Sequence, residues 1–229
     1  MPDDIGTVLI TGGSSGLGAA VAAAVEAEGG TPVVLDRAQP QNGWAWEQVD
    51  LSAPREAEAA VRRVAEEHDG LDAVVTAAGI DACGDIGDVD PEAWDRVILV
   101  NLLGTAAVVR AALPFLERSH GRVVTVASTL GLRALPAATA YCASKFGVVG
   151  FTRALAAETG DRIGVTLLIP GGMKTHFFDD RPENFKPAAD QALNSPEDVA
   201  RSVVFALRQP PGCELRELII APASEPSWP

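Results

Sequence analysis

Hydrophobic positions along this chain fall into short unbroken runs, separated by stretches in which apolar residues recur every three or four places. The runs are "TVLIT" (7–11), "TPVVLD" (31–36), "LDAVVTAAG" (71–79), "GRVVTVAS" (121–128), "GVTLLIP" (164–170) and "LRELIIA" (215–221), with a shorter one near "WEQVD" (46–50). Strands apolar on both faces belong to parallel sheets covered by helices on both sides. The intervening periodic stretches predict helices from the glycines near residue 16 to about Glu28, over "PREAEAAVRRVAEEH", from about Pro91 to Leu116 with a break near Arg96, from about Ala140 to Glu158, and from Pro196 to about Leu207. Strict alternation of strand and helix predicts an α/β fold, a Rossmann-type doubly wound parallel sheet. The 229 residues suffice for one substantial core, so residues 1–229 are read as a single domain. One stretch fits no element: "HFFDDRPENFKPAADQALN" (176–194) is polar and broken by prolines, and it follows the carboxyl end of a strand, where such sheets bind ligands. Phe177, Phe178 and Phe185 within it predict a lid with something apolar to cover.

Charge and composition narrow the partners. The net charge of −13 comes without any cluster of Lys and Arg, which argues against nucleic acid. The chain has no run of about eighteen uninterrupted apolar residues, and "MPDDIG" lacks the basic and apolar segments of a signal peptide. A cytoplasmic protein with no membrane partner is expected. Cys83, Cys142 and Cys213 show no CxxC spacing and are expected as buried free thiols. His68, His120 and His176 are scattered, so no metal is expected, although His176 beside Thr175 is a candidate to face a substrate.

Chemistry concentrates in two places. In "TGGSSGLG" (11–18), glycines stand where a strand becomes a helix, and there backbone N–H groups and the helix dipole attract an anion. Gly12, Ser14, Ser15, Gly16, Leu17 and Gly18 are therefore read as a pyrophosphate cradle. Asp36 ends the next strand eighteen residues after Gly18, where a carboxylate would accept hydrogen bonds from adenosine ribose hydroxyls and repel a 2′-phosphate. Arg37 follows and could instead meet such a phosphate, so NAD is expected with NADP possible. Asp50 and Leu51 sit where adenine would be flanked, or open a helix.

The second place is "YCASK". Tyr141 and Lys145 at i and i+4 share a helix face, and an ammonium close to a phenol favours phenolate, bringing it toward use as a general acid or base near neutral pH. Tyr141 is the chain's only tyrosine.

Over nearly its whole length the sequence resembles the short-chain dehydrogenase/reductase family in its roughly 250-residue form. The resemblance rests on Thr11–Gly18, Asn101 in "VNLLG", Ser128 thirteen residues before the tyrosine, Tyr141 to Lys145, and Pro170-Gly171 with Thr175 in "PGGMKT". It implies an oxidoreductase in which Ser128 holds the substrate oxygen, Tyr141 exchanges the proton as hydride passes to or from nicotinamide, Lys145 lowers the tyrosine pKa and binds the nicotinamide ribose, and Asn101 anchors a water. Pro170, Gly171, Met173 and Thr175 would lie along the nicotinamide. Where the family carries Asn-Asn-Ala-Gly, this chain has Thr76-Ala77-Ala78-Gly79. Ala77, Ala78 and Gly79 would still border the cofactor, with local rigidity in question.

The implied reaction is hydride transfer between NAD and a small-molecule secondary alcohol or ketone. The residues also admit an NADPH-dependent 3-oxoacyl thioester reductase and, from another class, a non-catalytic dinucleotide-binding sensor or scaffold. Pocket walls are expected around Leu132 to Leu135. Apolar residues on several faces of the helices after Asn101 and after Tyr141 predict a homodimer or homotetramer, and the tail "APASEPSWP" is a candidate to dock on a neighbouring subunit.

Overall fold

In the computed structural model, which describes residues 5–228, the seven apolar runs become seven parallel strands: β1 (Thr7–Thr11), β2 (Thr31–Asp36), β3 (Ala45–Gln48), β4 (Ala73–Thr76), β5 (Arg122–Val126), β6 (Gly164–Pro170) and β7 (Glu217–Ile220). They form one sheet in the order β3-β2-β1-β4-β5-β6-β7. The order reverses between β1 and β4, and the crevice beyond the carboxyl ends of these two strands is where an open α/β sheet binds its ligand. Residues 1–4 and Pro229 lie outside the described residues, and with them the start of "MPDDIG" and the last residue of the tail.

Alternate residues of each strand feed opposite cores. Val8, Ile10, Val34 and Val75 pack under α1 (Gly16–Ala27) and α6 (Pro196–Leu207). Leu9, Val33, Val74 and Val123 face α2 (Pro54–Glu67), α4 (Thr105–Ser119) and α5 (Thr139–Thr159). Leu9 stands level with Val33 on one side and Val74 on the other, so a slip of one residue in β1 would exchange the two faces.

The long helix is continuous from Pro91 to Ser119 rather than broken near Arg96. Its first part, α3 (Pro91–Ile98), starts on Asp90, whose carboxylate accepts the Ala93 N–H at 2.9 Å, and runs into a π-helical turn at Leu99–Gly104 before α4. The extra residue in that turn leaves no mark in the apolar periodicity. By length and hydropathy this helix could cross a membrane, but more than half of its most apolar window is buried in the fold, as befits a core helix.

The tail folds back onto its own chain through Glu225 and Ser227. Glu225 is buried; its carboxylate accepts hydrogen bonds from Gly172 N–H at 2.8 Å and from Ser227 Oγ at 2.6 Å, and Ser227 Oγ in turn lies 2.6 Å from Thr129 Oγ1. The loops after β5 and β6 are thereby tied together. Of the thiols, only Cys142 is buried; Cys83 is partly buried and Cys213 exposed, because both of these lie in loops outside the two cores.

Candidate active site

The glycine turn is built for an anion. Gly12 has a φ of +71°, and a Cβ placed there would meet the Ala78 backbone at 2.8 Å. At Gly18 a Cβ would strike the Gly12 carbonyl at 2.2 Å, so the first turn of α1 sits directly on the loop before it. Ser15, the N-cap of α1, is exposed and makes no side-chain capping bond, and the first turn carries no acidic residue. The N–H groups of that turn are left for an external anion. Leu17 is buried and anchors the turn from below.

Ser14 links this cradle to Asp36. Its N–H and Oγ donate to Asp36 Oδ2 at 3.0 and 2.7 Å, while Oδ1 accepts from Ala38 N–H at 3.1 Å. The carboxylate is held at the end of β2 with acceptor capacity remaining, beside exposed Arg37. Asp50 behaves as a helix-approach residue: it accepts from Ser52 and pairs with Arg96 at 2.6 Å. Leu51 is a core residue that packs against the π-helical turn at Gly104.

The segment after β4 is steadied without the two asparagines. Thr11 Oγ1 accepts the Ala78 N–H at 3.1 Å, and Asn101 holds Ile80 from both sides, accepting its N–H and donating to its carbonyl, each at 2.9 Å. Asn101 is fully buried, and its remaining amide hydrogen goes to Ser144 Oγ at 3.0 Å. Its side chain is thus a clamp whose two amide hydrogens are both spent within the protein. Gly79 and Lys145 meet here: a Cβ on Gly79 would lie 3.6 Å from the ammonium.

Ser128, Tyr141 and Lys145 come together at the carboxyl ends of β5 and the start of α5. Ser128 caps a 3-10 turn at Thr129–Gly131, its hydroxyl accepting the Leu130 N–H at 3.1 Å, and it stands beside the Tyr141 phenol. Lys145 Nζ lies 5.6 Å from the centroid of the Tyr141 ring and donates to the Val126 carbonyl at 2.9 Å. Burial pushes this lysine down to about 8. Tyr141 departs from expectation in the opposite sense. Burial, followed by the carboxylate of Asp81, pushes the phenol well above its ordinary value, outweighing the Ser128 hydrogen bond and the charge of Arg181. The ammonium lies over the ring face and spends a hydrogen on Val126, so in the protein alone it does not bring Tyr141 toward neutrality.

Two residues of this site, Asp81 and Arg181, were not marked by motif or periodicity. They are one hundred residues apart and form an ion pair at 2.5 Å. The only hint was the position of Asp81, directly after the glycine segment that follows β4.

The 176–194 loop crosses the site. Phe177 packs on Tyr141 with ring centroids 5.5 Å apart, and Phe178 meets Phe177 edge-on. The loop's stem is closed by Lys174 N–H to Asn194 O and Asn194 N–H to Gly172 O, both 2.9 Å. Pro170 and Gly171 end β6 at this stem, and Met173 packs beneath it. Thr175 lies against Gly16, joining the stem to the glycine cradle. His176 points outward, 85% exposed, and pairs with Asp179; it does not face the site, because Phe177 takes the inward position. Leu132 packs on the core, while Arg133 and Leu135 are exposed.

Among the described residues, no group of three or more His, Cys, Asp or Glu is arranged to hold a metal.

Comparison with known proteins agrees with this geometry. A family model described as short chain dehydrogenase matches residues 6–185. The D-beta-hydroxybutyrate dehydrogenase of Cupriavidus necator is 34% identical, with 90% of this chain and 84% of that protein aligned. The 2-(S)-hydroxypropyl-CoM dehydrogenase 3 of Xanthobacter autotrophicus is 32% identical, over 87% and 88% respectively. An alcohol dehydrogenase from the archaeon Thermococcus sibiricus, solved in complex with 5-hydroxy-NADP, shares the fold with a TM-score of 0.84 at 24% identity, covering 93% of this chain and 95% of that one.

Proposed function

The chain belongs to the short-chain dehydrogenase family, and from that premise we propose that it transfers hydride between NAD and a secondary alcohol or ketone, with Tyr141 as the acid–base residue. One observation carries this reading: Ser128, Tyr141 and Lys145 converge next to a glycine cradle shaped for a pyrophosphate. A bound nicotinamide dinucleotide supplies the hydride acceptor or donor.

The remaining chemistry falls to this chain. Ser128 Oγ, beside Tyr141, fixes the substrate oxygen within reach of the phenol. Tyr141 gives its proton to that oxygen in reduction and takes one in oxidation. Lys145 is buried and carries positive charge beside the ring below about pH 8, and Asn101 holds the Ile80 backbone and Ser144 so that the floor of the site does not shift. Asp36 would accept from the ribose hydroxyls of NAD, and its charge opposes the extra phosphate of NADP. D-beta-hydroxybutyrate and 2-hydroxypropyl-CoM, named for two relatives, are both secondary alcohols, and substrates of that class are the ones to try first.

Leu103 and Phe146 remain exposed on the helices that flank Asn101 and follow Tyr141, which supports a symmetric pairing of these faces in a homo-oligomer.

The test is a titration of the purified protein with NADH and NADPH, followed by assay of secondary alcohols with the preferred oxidised dinucleotide. Tighter NADH binding and turnover of at least one alcohol are expected. NADPH preference would place Arg37 in control of the ribose site and favour a 3-oxoacyl thioester reductase, and binding without turnover of any alcohol or ketone would favour a non-catalytic dinucleotide-binding module.

A further inference from the structure

Asp81 and Arg181 belong to no part of the hydride-transfer machinery described above, yet through Phe177 their pair reaches the Tyr141 ring. Asp81 reaches it from the loop after β4, with its side chain only 5% exposed. Its Oδ1 accepts the Ala82 N–H at 2.7 Å and its Oδ2 accepts the Cys83 thiol at 3.2 Å and Arg181 Nη2 at 2.5 Å. Arg181 arrives from the 176–194 loop. Its guanidinium lies over Phe177 and Phe178, 5.0 and 4.6 Å from the ring centroids, and Phe177 is the ring that covers Tyr141. A carboxylate this buried is costly without a counter-ion, and the ion pair it makes is with an arginine carried by the loop that closes the site.

We propose that Asp81 and Arg181 are positioning residues for Tyr141: the ion pair latches the Phe177–Phe178 loop over the phenol, and loop closure supplies the charge that offsets the Asp81 carboxylate at the proton-transfer site. This rests on the proton-transfer reading of Tyr141. The polar, charged and titratable groups whose fields reach the phenol come from several elements: Ser128 from the loop after β5, Lys145 and Cys142 from α5, Asp81 with Cys83 hydrogen-bonded to it from the loop after β4, and Arg181 from the loop after β6. Of these, Asp81 opposes ionisation of Tyr141 and Arg181 favours it. A pair that merely braced the loop would have no reason to set the pH at which the enzyme works. An opposed pair of charges has such a reason, and it fixes the sign for each partner separately.

Asp81→Asn and Arg181→Gln test this, with two readouts. In alcohol oxidation, the rise of kcat/KM with pH is expected to shift to lower pH in Asp81→Asn and to higher pH in Arg181→Gln, each by enough to change the rate several-fold at a fixed pH on the rising limb; Asp81→Asn/Arg181→Gln, which removes both charges and is the safer variant should a single one misfold, is expected to fall between them. Shifts in the same direction, or none, would overturn the proposal. The second readout needs no turnover. Because Tyr141 is the only tyrosine, the near-ultraviolet phenolate band of the protein alone reports this one group. Its onset is expected at lower pH in Asp81→Asn than in the wild type, and an unchanged onset would contradict the role of Asp81 even if Tyr141 proved not to be the catalytic acid. A shifted onset in a protein whose activity does not depend on Tyr141 would instead sink the function and leave the electrostatic pairing standing.

Discussion

Lys145 shows at the residue scale how one buried side chain couples chemistry to stability. Its ammonium is almost fully enclosed, and burial holds its pKa at about 8 instead of the usual 10.5. Below about pH 8 the folded and unfolded states both carry the charge, and the folded state bears the cost of burying it. Between that pH and the unfolded value, the folded lysine has released its proton while the unfolded one still holds it, so this contribution stabilises the fold as pH rises. Urea unfolding at about pH 8 and about pH 10 is expected to show the wild type gaining on the order of 2 kcal/mol relative to Lys145→Met; an equal response in both proteins would mean that the ammonium is not desolvated as described. Tyr141 and Lys145 were legible in the sequence from their i, i+4 spacing, and Ser128 and Asn101 from the resemblance to the family. Asp81 and Arg181 were not, since their meaning lies in a contact across one hundred residues and neither residue type is unusual in a loop.

At the scale of elements, the five central strands were readable because a strand buried on both faces has to be apolar throughout, while the edge strands β3 and β7 are only partly buried and carry charged or polar residues. The helices followed from their period within one or two residues at most ends, the usual uncertainty of a fraying terminus. The π-helical turn at Leu99–Gly104 was hidden, because shifting one hydrogen bond along the backbone changes no residue type. That turn delivers Asn101 to the floor of the site, a familiar use of π-bulges. Asn101→Ala would leave the Ile80 N–H and carbonyl without their partner in a buried place. A loss of roughly 1–3 kcal/mol in unfolding free energy is expected, together with weaker dinucleotide binding as the Ala77–Gly79 segment loosens; full retention of both would show that the segment is held by other contacts. The tail was equally hidden, for nothing in "SEPSW" says that Glu225 will turn inward. Its carboxylate occupies the Gly172 N–H at the stem of the loop that crosses Tyr141. Glu225→Ala is expected to lower the thermal midpoint and raise KM for the dinucleotide, and a change in neither would mean that the stem stands without the tail.

For the molecule as a whole, a parallel sheet whose strand order reverses at β1 and β4 places one site, and both clusters of chemical motifs gather there. Leu103 and Phe146 are 43% and 45% exposed while the other large apolar residues of their helices are buried or half-buried, and this exposed pair is where a second copy is expected to pack. Light scattering is expected to find a dimer or tetramer, and Leu103→Lys with Phe146→Lys to shift it toward monomer; a wild-type monomer at micromolar concentration would remove this interface. If the proton moves through Tyr141, Tyr141→Phe removes its carrier, and the decisive experiment measures turnover of a secondary alcohol alongside the dissociation constant for the dinucleotide. Turnover should fall by about 10²- to 10⁴-fold while dinucleotide binding stays close to the wild type. Turnover within a few-fold of the wild type would mean that another group carries the proton.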